Sequence, residues 1–386
     1  MNIILFDTEV RDHLLPFTFT RPVSEIRIGI RTIREKWEAV LAGSFSWKTE
    51  DYLSGKFPMA SGSENLIINA AVCPNAKLAA AVDDLRIGQQ LKAGDLVLAQ
   101  RVVGTFESWK DAEVIEFEGE FNYIDRPWKI FSLNGAELEY DFEEITRGRT
   151  SQKLSSTNTV LGNRIFVEEG VEAECSVFNT TTGPIYLGKD SSVLEGSVIR
   201  GGLALCEHSQ IKLGAKIYGP TTVGPHSKVG GEVNNSVIFG YSNKGHDGFL
   251  GNSVLGEWCN LGADTNNSNL KNNYDEVKIW SYPKGGFVRT GLQFCGLMMG
   301  DHSKCGINTM FNTGTVVGVS ANIYGGGFPR NYIPSYSWGG SGGFTDYNLQ
   351  KAIDTAARVM SRRGLEPDEN DKAIFKHIYD LTSGAR

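Results

Sequence analysis

An apolar residue recurs at every sixth position through the middle of this chain, and that period constrains the fold more than any other feature. Leu187, Val193, Ile199, Leu205, Ile211, Ile217, Val223 and Val229 share one strict six-residue register. Four positions after each stands Ser191, Ser197, Leu203, Ser209, Ala215, Thr221, Ser227 or Val233, small in most repeats. The register slips by two, resumes at Phe249, Leu255 and Leu261, and resumes again at Met299, Cys305, Phe311, Val317 and Ile323. An earlier phase runs through Ile165, Val171 and Val177. This period matches neither a helix (about 3.6) nor an amphipathic strand (about 2). It fits a solenoid of short parallel strands, with one aliphatic side chain per strand pointing inward and small groups at the corners. Stacked coils bury one continuous column, and each coil contacts mainly its neighbours.

Residues 1–150 lack the repeat. Asn2–Phe6 reads as a buried strand rather than a signal peptide, having no basic start and no cleavage pattern. Ile26, Ile30, Ile33, Trp37 and Val40 recur at helical spacing, which predicts a helix over residues 24–41 with Ser24 at its cap. Residues 65–72 and 95–103 read as strands, so this part is a small α/β domain, closed by residues 123–141. A polar linker follows at 151–157, then the solenoid. The Gly-rich runs at 325–327 and 339–343 read as loops. Leu349, Ile353, Ala356 and Met360 form the stripe of a helix over 345–363 that Gly364 ends, and a second helix spans 369–381. Both are expected to cover the open end of the solenoid, where unpaired strand edges would be exposed. The domains are therefore 1–150, 158–330 and 345–386.

With 386 residues, 22% of them charged, and a net charge of −7, the chain carries no nucleic-acid footprint. No apolar run approaches membrane-spanning length, and a cytoplasmic location is expected. Six cysteines are scattered without CxxC spacing and read as buried structural thiols, with Cys175 and Cys259 at small corner positions and Cys305 inward. No cluster suggests a metal site.

Three histidines, His208, His226 and His302, occupy one repeat position, each before a serine, and read as solvated turn residues. His246 differs. It lies where the period breaks, in Lys244-Gly245-His246-Asp247-Gly248. A solenoid admits a break only at a loop, loops on rigid scaffolds carry function, and imidazole is suited to taking a proton near pH 7.

Residues 244–251 lead into Asn260-Leu261-Gly262-Ala263-Asp264-Thr265 and, later, Asn273-Tyr274-Asp275. This arrangement resembles the acetyltransferase half of the GlmU family, which joins glucosamine-1-phosphate acetyltransferase to N-acetylglucosamine-1-phosphate uridyltransferase. In that family a Lys-x-Gly-His precedes Tyr-Leu-Gly, Asn-Ile-Gly-Ala-Gly-Thr and an Asn-Tyr-Asp segment. Ahead of the solenoid, Arg11 to Pro22 resembles the sugar-phosphate nucleotidyltransferase signature, placing Arg11 and Arg21 at a nucleotide site. There the usual Gly-rich phosphate loop is replaced by Asp7-Thr8-Glu9-Val10, with two carboxylates that would repel phosphates.

The resemblance implies a left-handed parallel β-helix of about three hexads per coil, preceded by a degenerate nucleotidyltransferase-like domain and followed by a helical tail. It implies His246 as general base, with Lys244, Glu232, Asn260, Asn269, Asn273 and Tyr274 at the substrate site and Ala263 as a backbone contact to acetyl-CoA. Asn269 by register and Asn273 by its letters both match the later asparagine. Phe249 and Asn234 stand where the family carries a Tyr and a phosphate-binding Lys, with Lys244, Lys271 and Lys278 as substitutes. The substrates implied are a sugar phosphate and acetyl-CoA, the assembly a homotrimer. An active N-terminal domain would add UTP or dTTP and Mg²⁺. The alternatives are a sugar-1-phosphate nucleotidyltransferase with a structural β-helix and a non-catalytic sugar-nucleotide scaffold.

Overall fold

The computed structural model describes residues 1–109 and 111–385. Lys110, inside the expected N-terminal domain, and Arg386, ending the expected tail, lie outside the described residues. The chain forms two compact units, the first of residues 1–14, 20–26 and 31–126, the second of residues 15–19, 27–30 and 127–386.

In the first unit six strands form one mixed sheet in the order Ser44–Lys48, Asn2–Phe6, Glu64–Asn69, Leu96–Val103, Gln89–Ala93, Glu113–Glu116. The first three run parallel and Leu96–Val103 is antiparallel to Glu64–Asn69. Ile3, Ile4 and Leu5 are all inaccessible to solvent, as expected of a central strand covered on both faces. The helix expected over residues 24–41 begins only at Ile33 and runs to Val40. Gly29 sits at φ +72°, which breaks the helical path. Thr32 and Glu35 then form a reciprocal cap that starts the helix afresh.

The second unit is the left-handed parallel β-helix, with three parallel ladders as its flat sides. Its coils are eighteen residues apart where the period is strict: Val193 pairs with Ile211, Ile211 with Val229, Ile199 with Ile217. Every residue of the first register run is at most 1% exposed, and together they form a single interior column. The corner hydroxyls are buried too, and several bond the turning backbone: Ser197 donates to the Leu194 carbonyl, Ser209 to that of Cys206 and Ser303 to that of Gly318.

Past Val229 the coils shorten, and the inward register departs from the six-residue pattern. Ile217 pairs with Val233 and Val229 with Lys244. Val233 is therefore an inward residue rather than a corner. Strand Phe249–Gly251 likewise turns Leu250 inward and Phe249 outward, because a one-residue shift exchanges the faces of a strand. A long excursion then interrupts the solenoid before Leu255 pairs with Met299, and carries the antiparallel hairpin Lys278–Ser281 with Gly286–Arg289.

Three further expectations change. Residues 127–146 form two helices, Pro127–Ser132 and Asn134–Thr146, that group with the solenoid rather than closing the sheet unit. Asp141 accepts from the Ile30 amide, and Asn134 from that of Gly29. The glycines around 339–343 form a hairpin, Ser337–Gly340 with Gly343–Asp346, instead of a loop. Cys175 is exposed, whereas the other five cysteines are buried.

Of the histidines expected to be solvated, His208 is exposed, His226 half-buried and His302 buried, and all three join a ring ladder along one edge of the prism. His208, His226, Tyr241, Trp258 and His302 stack at centroid distances of 4.8, 4.8, 4.2 and 6.2 Å. Each has a positive φ, so successive coils aim these rings along one line. The C-terminal helices Leu349–Ser361 and Glu369–Leu381 follow. Phe375 packs edge-on to His302, and its carbonyl accepts from the Tyr336 hydroxyl at 2.8 Å. No helix among the described residues is long and apolar enough to cross a membrane.

Candidate functional site

The turn carrying His246 opens onto a groove of about 400 Å³ on one flat side of the solenoid. Outward positions on consecutive coils make its floor: Lys228 pairs with Asn243, and Asn243 with Asn260. Lys212, Gly262, Ala263 and Ile307 complete the lining. His246 is exposed at this groove. The turn behind it is tied to adjacent coils, since the Glu232 amide donates to the Gly248 carbonyl at 3.2 Å and the Asp264 amide to that of Asp247 at 3.1 Å.

His246, Asn260 and Ala263, three of the residues singled out from sequence, therefore meet in one groove. Lys212, Lys228 and Asn243 join them unforeseen. Their signal is regular all the same: Lys228, Asn243 and Asn260 each precede an inward residue, and such positions face outward. The cations crowd here. Burial draws the Lys228 ammonium below the ordinary lysine value, and the charges of Arg363, Lys212 and Arg362 lower it further. Arg363 reaches this edge from the end of the C-terminal helix and donates to the His226 carbonyl at 3.1 Å.

The remaining expected substrate residues lie elsewhere. Lys244 is 1% exposed and occupies the inward position between Val229 and Leu261, because the shortened coil brings it into the column. Glu232 lies on a different ladder, where it accepts from the Tyr218 hydroxyl at 2.5 Å. Burial and then this bond push the Tyr218 phenol up to about 12. Asn269 donates to the Asn252 side chain at 2.8 Å, and Asn273 and Tyr274 are exposed on the excursion. Lys271 donates to the Glu276 carbonyl, and Lys278 is exposed on the excursion's hairpin. None of these residues lines the groove, and those from Asn269 onward stand off it because the excursion leaves the prism after Asn267.

In the first unit, Arg11 lines a separate pocket of about 240 Å³ with Phe6, Asp7, Thr8, Glu9, Asp12, Lys48, Thr49 and Glu50. Its guanidinium bonds Asp12 at 3.1 Å and Tyr52 at 2.5 Å. Arg21 is buried and is not part of this lining. Asp7 accepts from the Val23 amide and the Thr49 hydroxyl, and burial raises its carboxyl to about 6. Both Asp7 oxygens are thus committed, and among the described residues no group of three or more His, Cys, Asp or Glu side chains could hold a metal ion.

A family model described as sugar nucleotidyl transferase matches residues 3–150. The chain is 28% identical over 263 residues to a bifunctional sugar-1-phosphate nucleotidylyltransferase/acetyltransferase of Sulfurisphaera tokodaii, covering 67% of this chain and 58% of that protein. It is 29% identical over 209 residues to the bifunctional protein GlmU of Methanococcus vannielii, covering 54% and 44%. The chain thus spans about half the length of the curated relatives it matches. A solved UDP-N-acetylglucosamine acyltransferase from Bacteroides fragilis is 15% identical with a TM-score of 0.28, covering 61% of this chain and 84% of that one.

Proposed function

Since the chain is GlmU-like, with a sugar nucleotidyl transferase-type domain ahead of a hexapeptide-type β-helix, we propose that it transfers acetyl from acetyl-CoA to the amine of an amino-sugar 1-phosphate. The observation that carries this reading is the groove that gathers His246, Asn243, Asn260 and Ala263 beside Lys212 and Lys228. His246 removes a proton from the sugar amine as the nitrogen attacks the thioester carbonyl. The C–N bond forms, the C–S bond breaks, and the imidazolium returns the proton to the departing thiolate. The Ala263 backbone contacts the acetyl-CoA end, and a main-chain N–H there stabilises the developing oxyanion. Asn243 and Asn260 orient the sugar, and Lys212 and Lys228 meet the phosphates. The substrates imply a cytoplasmic reaction, and packing of flat sides around a threefold axis implies a homotrimer.

A second reading, nucleotidyl transfer from UTP or dTTP to a sugar 1-phosphate, has the family match over residues 3–150 in its favour. The carboxylate-lined pocket around Arg11 opposes it. Incubation with acetyl-CoA and glucosamine 1-phosphate, following thiol release, tests the first reading. Pyrophosphate release from UTP or dTTP with a sugar 1-phosphate tests the second. Thiol release without pyrophosphate is expected, and the reverse result would replace the first reading by the second. Lys228→Ala is expected to raise KM about tenfold while kcat stays within about twofold, because a charge-assisted contact made equally in the ground and transition states is worth about 1.5 kcal/mol or more. Initial-rate kinetics over a range of both substrates reads this directly.

A further inference from the structure

A lysine inside an aliphatic column calls for a reason. The Lys244 side chain stands in line with Val229 below and Leu261 above, followed by Cys305. A buried ammonium is costly unless its protons find acceptors. Here they find two main-chain carbonyls, that of Gly230 at 3.2 Å and that of His246 at 2.5 Å. The second belongs to the residue whose imidazole is exposed at the groove. Drawing that carbonyl inward fixes the peptide plane after His246, so the side chain on the same residue points outward.

We infer that Lys244 is a positioning residue: from within the solenoid its ammonium holds the His246 carbonyl and thereby sets the direction in which the imidazole enters the groove. This rests on the reading of His246 as the base. Neighbouring charge agrees with a brace of this kind. Burial lowers the Lys244 ammonium to about 8, and the opposing influences come from Asp247, Asp264 and Cys305. Asp247 and Asp264 are themselves linked through their backbone, across the same turn.

Lys244→Met keeps the column filled and removes the donor. The amides of Glu232 and Asp264, which bond the Gly248 and Asp247 carbonyls, should exchange their hydrogens about tenfold faster. The acetyl-transfer kcat should fall about tenfold or more, with KM for acetyl-CoA within about twofold, since a small misplacement of a reacting group can cost ~10²-fold. Lys244→Gln, neutral but still a donor, should recover part of both. The stability of the Met variant relative to wild type should be highest below pH 8 and decline as pH rises above it. The native lysine binds fewer protons than the unfolded one between about 8 and the ordinary lysine value, so its penalty is complete below pH 8 and fades as pH rises through that window. Unchanged exchange overturns the inference whatever the activity, and so does faster exchange with an unchanged kcat. Faster exchange in a protein whose wild type releases no thiol would leave the brace standing and remove His246 from catalysis.

Discussion

His246→Ala is expected to lower acetyl transfer by ~10²–10⁴-fold while leaving the melting temperature within a degree or two of wild type. The factor is what a positioned general base ordinarily contributes. Stability should be spared because the imidazole is exposed and stands outside the interior column. The fall should appear in kcat more than in KM, since the imidazole takes up its proton only as the C–N bond forms. Steady-state thiol release with saturating acetyl-CoA, beside a thermal melt, measures both quantities. Wild-type rates in this variant would remove the base from the mechanism even with the groove intact.

Ile211→Ala should have the largest effect on the fold. Ile211 is fully buried in the column, whereas Leu213, two residues on, is 64% exposed on a turn. Truncating the first removes apolar contacts from a packed interior and leaves a cavity, at a cost of ~2–5 kcal/mol. Truncating the second should change stability by no more than about 0.5 kcal/mol. Each coil leans mainly on its neighbours, so the loss at Ile211 should also loosen the coils through Val193 and Val229, its partners on either side. Denaturant unfolding of the two variants gives the contrast, and equal effects would mean that the six-residue period does not mark the interior.

The strict part of the solenoid was legible because one physical requirement repeats: an aliphatic in the column and a small residue at the corner. From Leu187 to Val229 every residue at the six-residue positions is interior, and Leu203 and Ala215, at corner positions, join them. It fails where coils change length. Lys244 could not be placed from its chemistry, since nothing about a lysine suggests a lumen, and only the pairing of Val229 with Lys244 shows it. Phe249 and Leu250 exchanged faces for the same reason, both being apolar and adjacent. The misplaced helix start arose from helical spacing carried across Gly29, a residue whose positive φ outweighs the periodicity around it. At the site, His246 was visible because it interrupts a pattern. Lys228 and Asn243 were hidden because they obey one, standing at ordinary outward positions that acquire meaning only when the coils stack.

The most direct measurement is a structure of the protein soaked with acetyl-CoA and glucosamine 1-phosphate. The account predicts the thioester within hydrogen-bonding reach of the Ala263 backbone, the sugar amine facing the His246 imidazole, and phosphate groups against Lys212 and Lys228. Acetyl-CoA seated away from this groove, or an imidazole turned from the sugar amine, would contradict it.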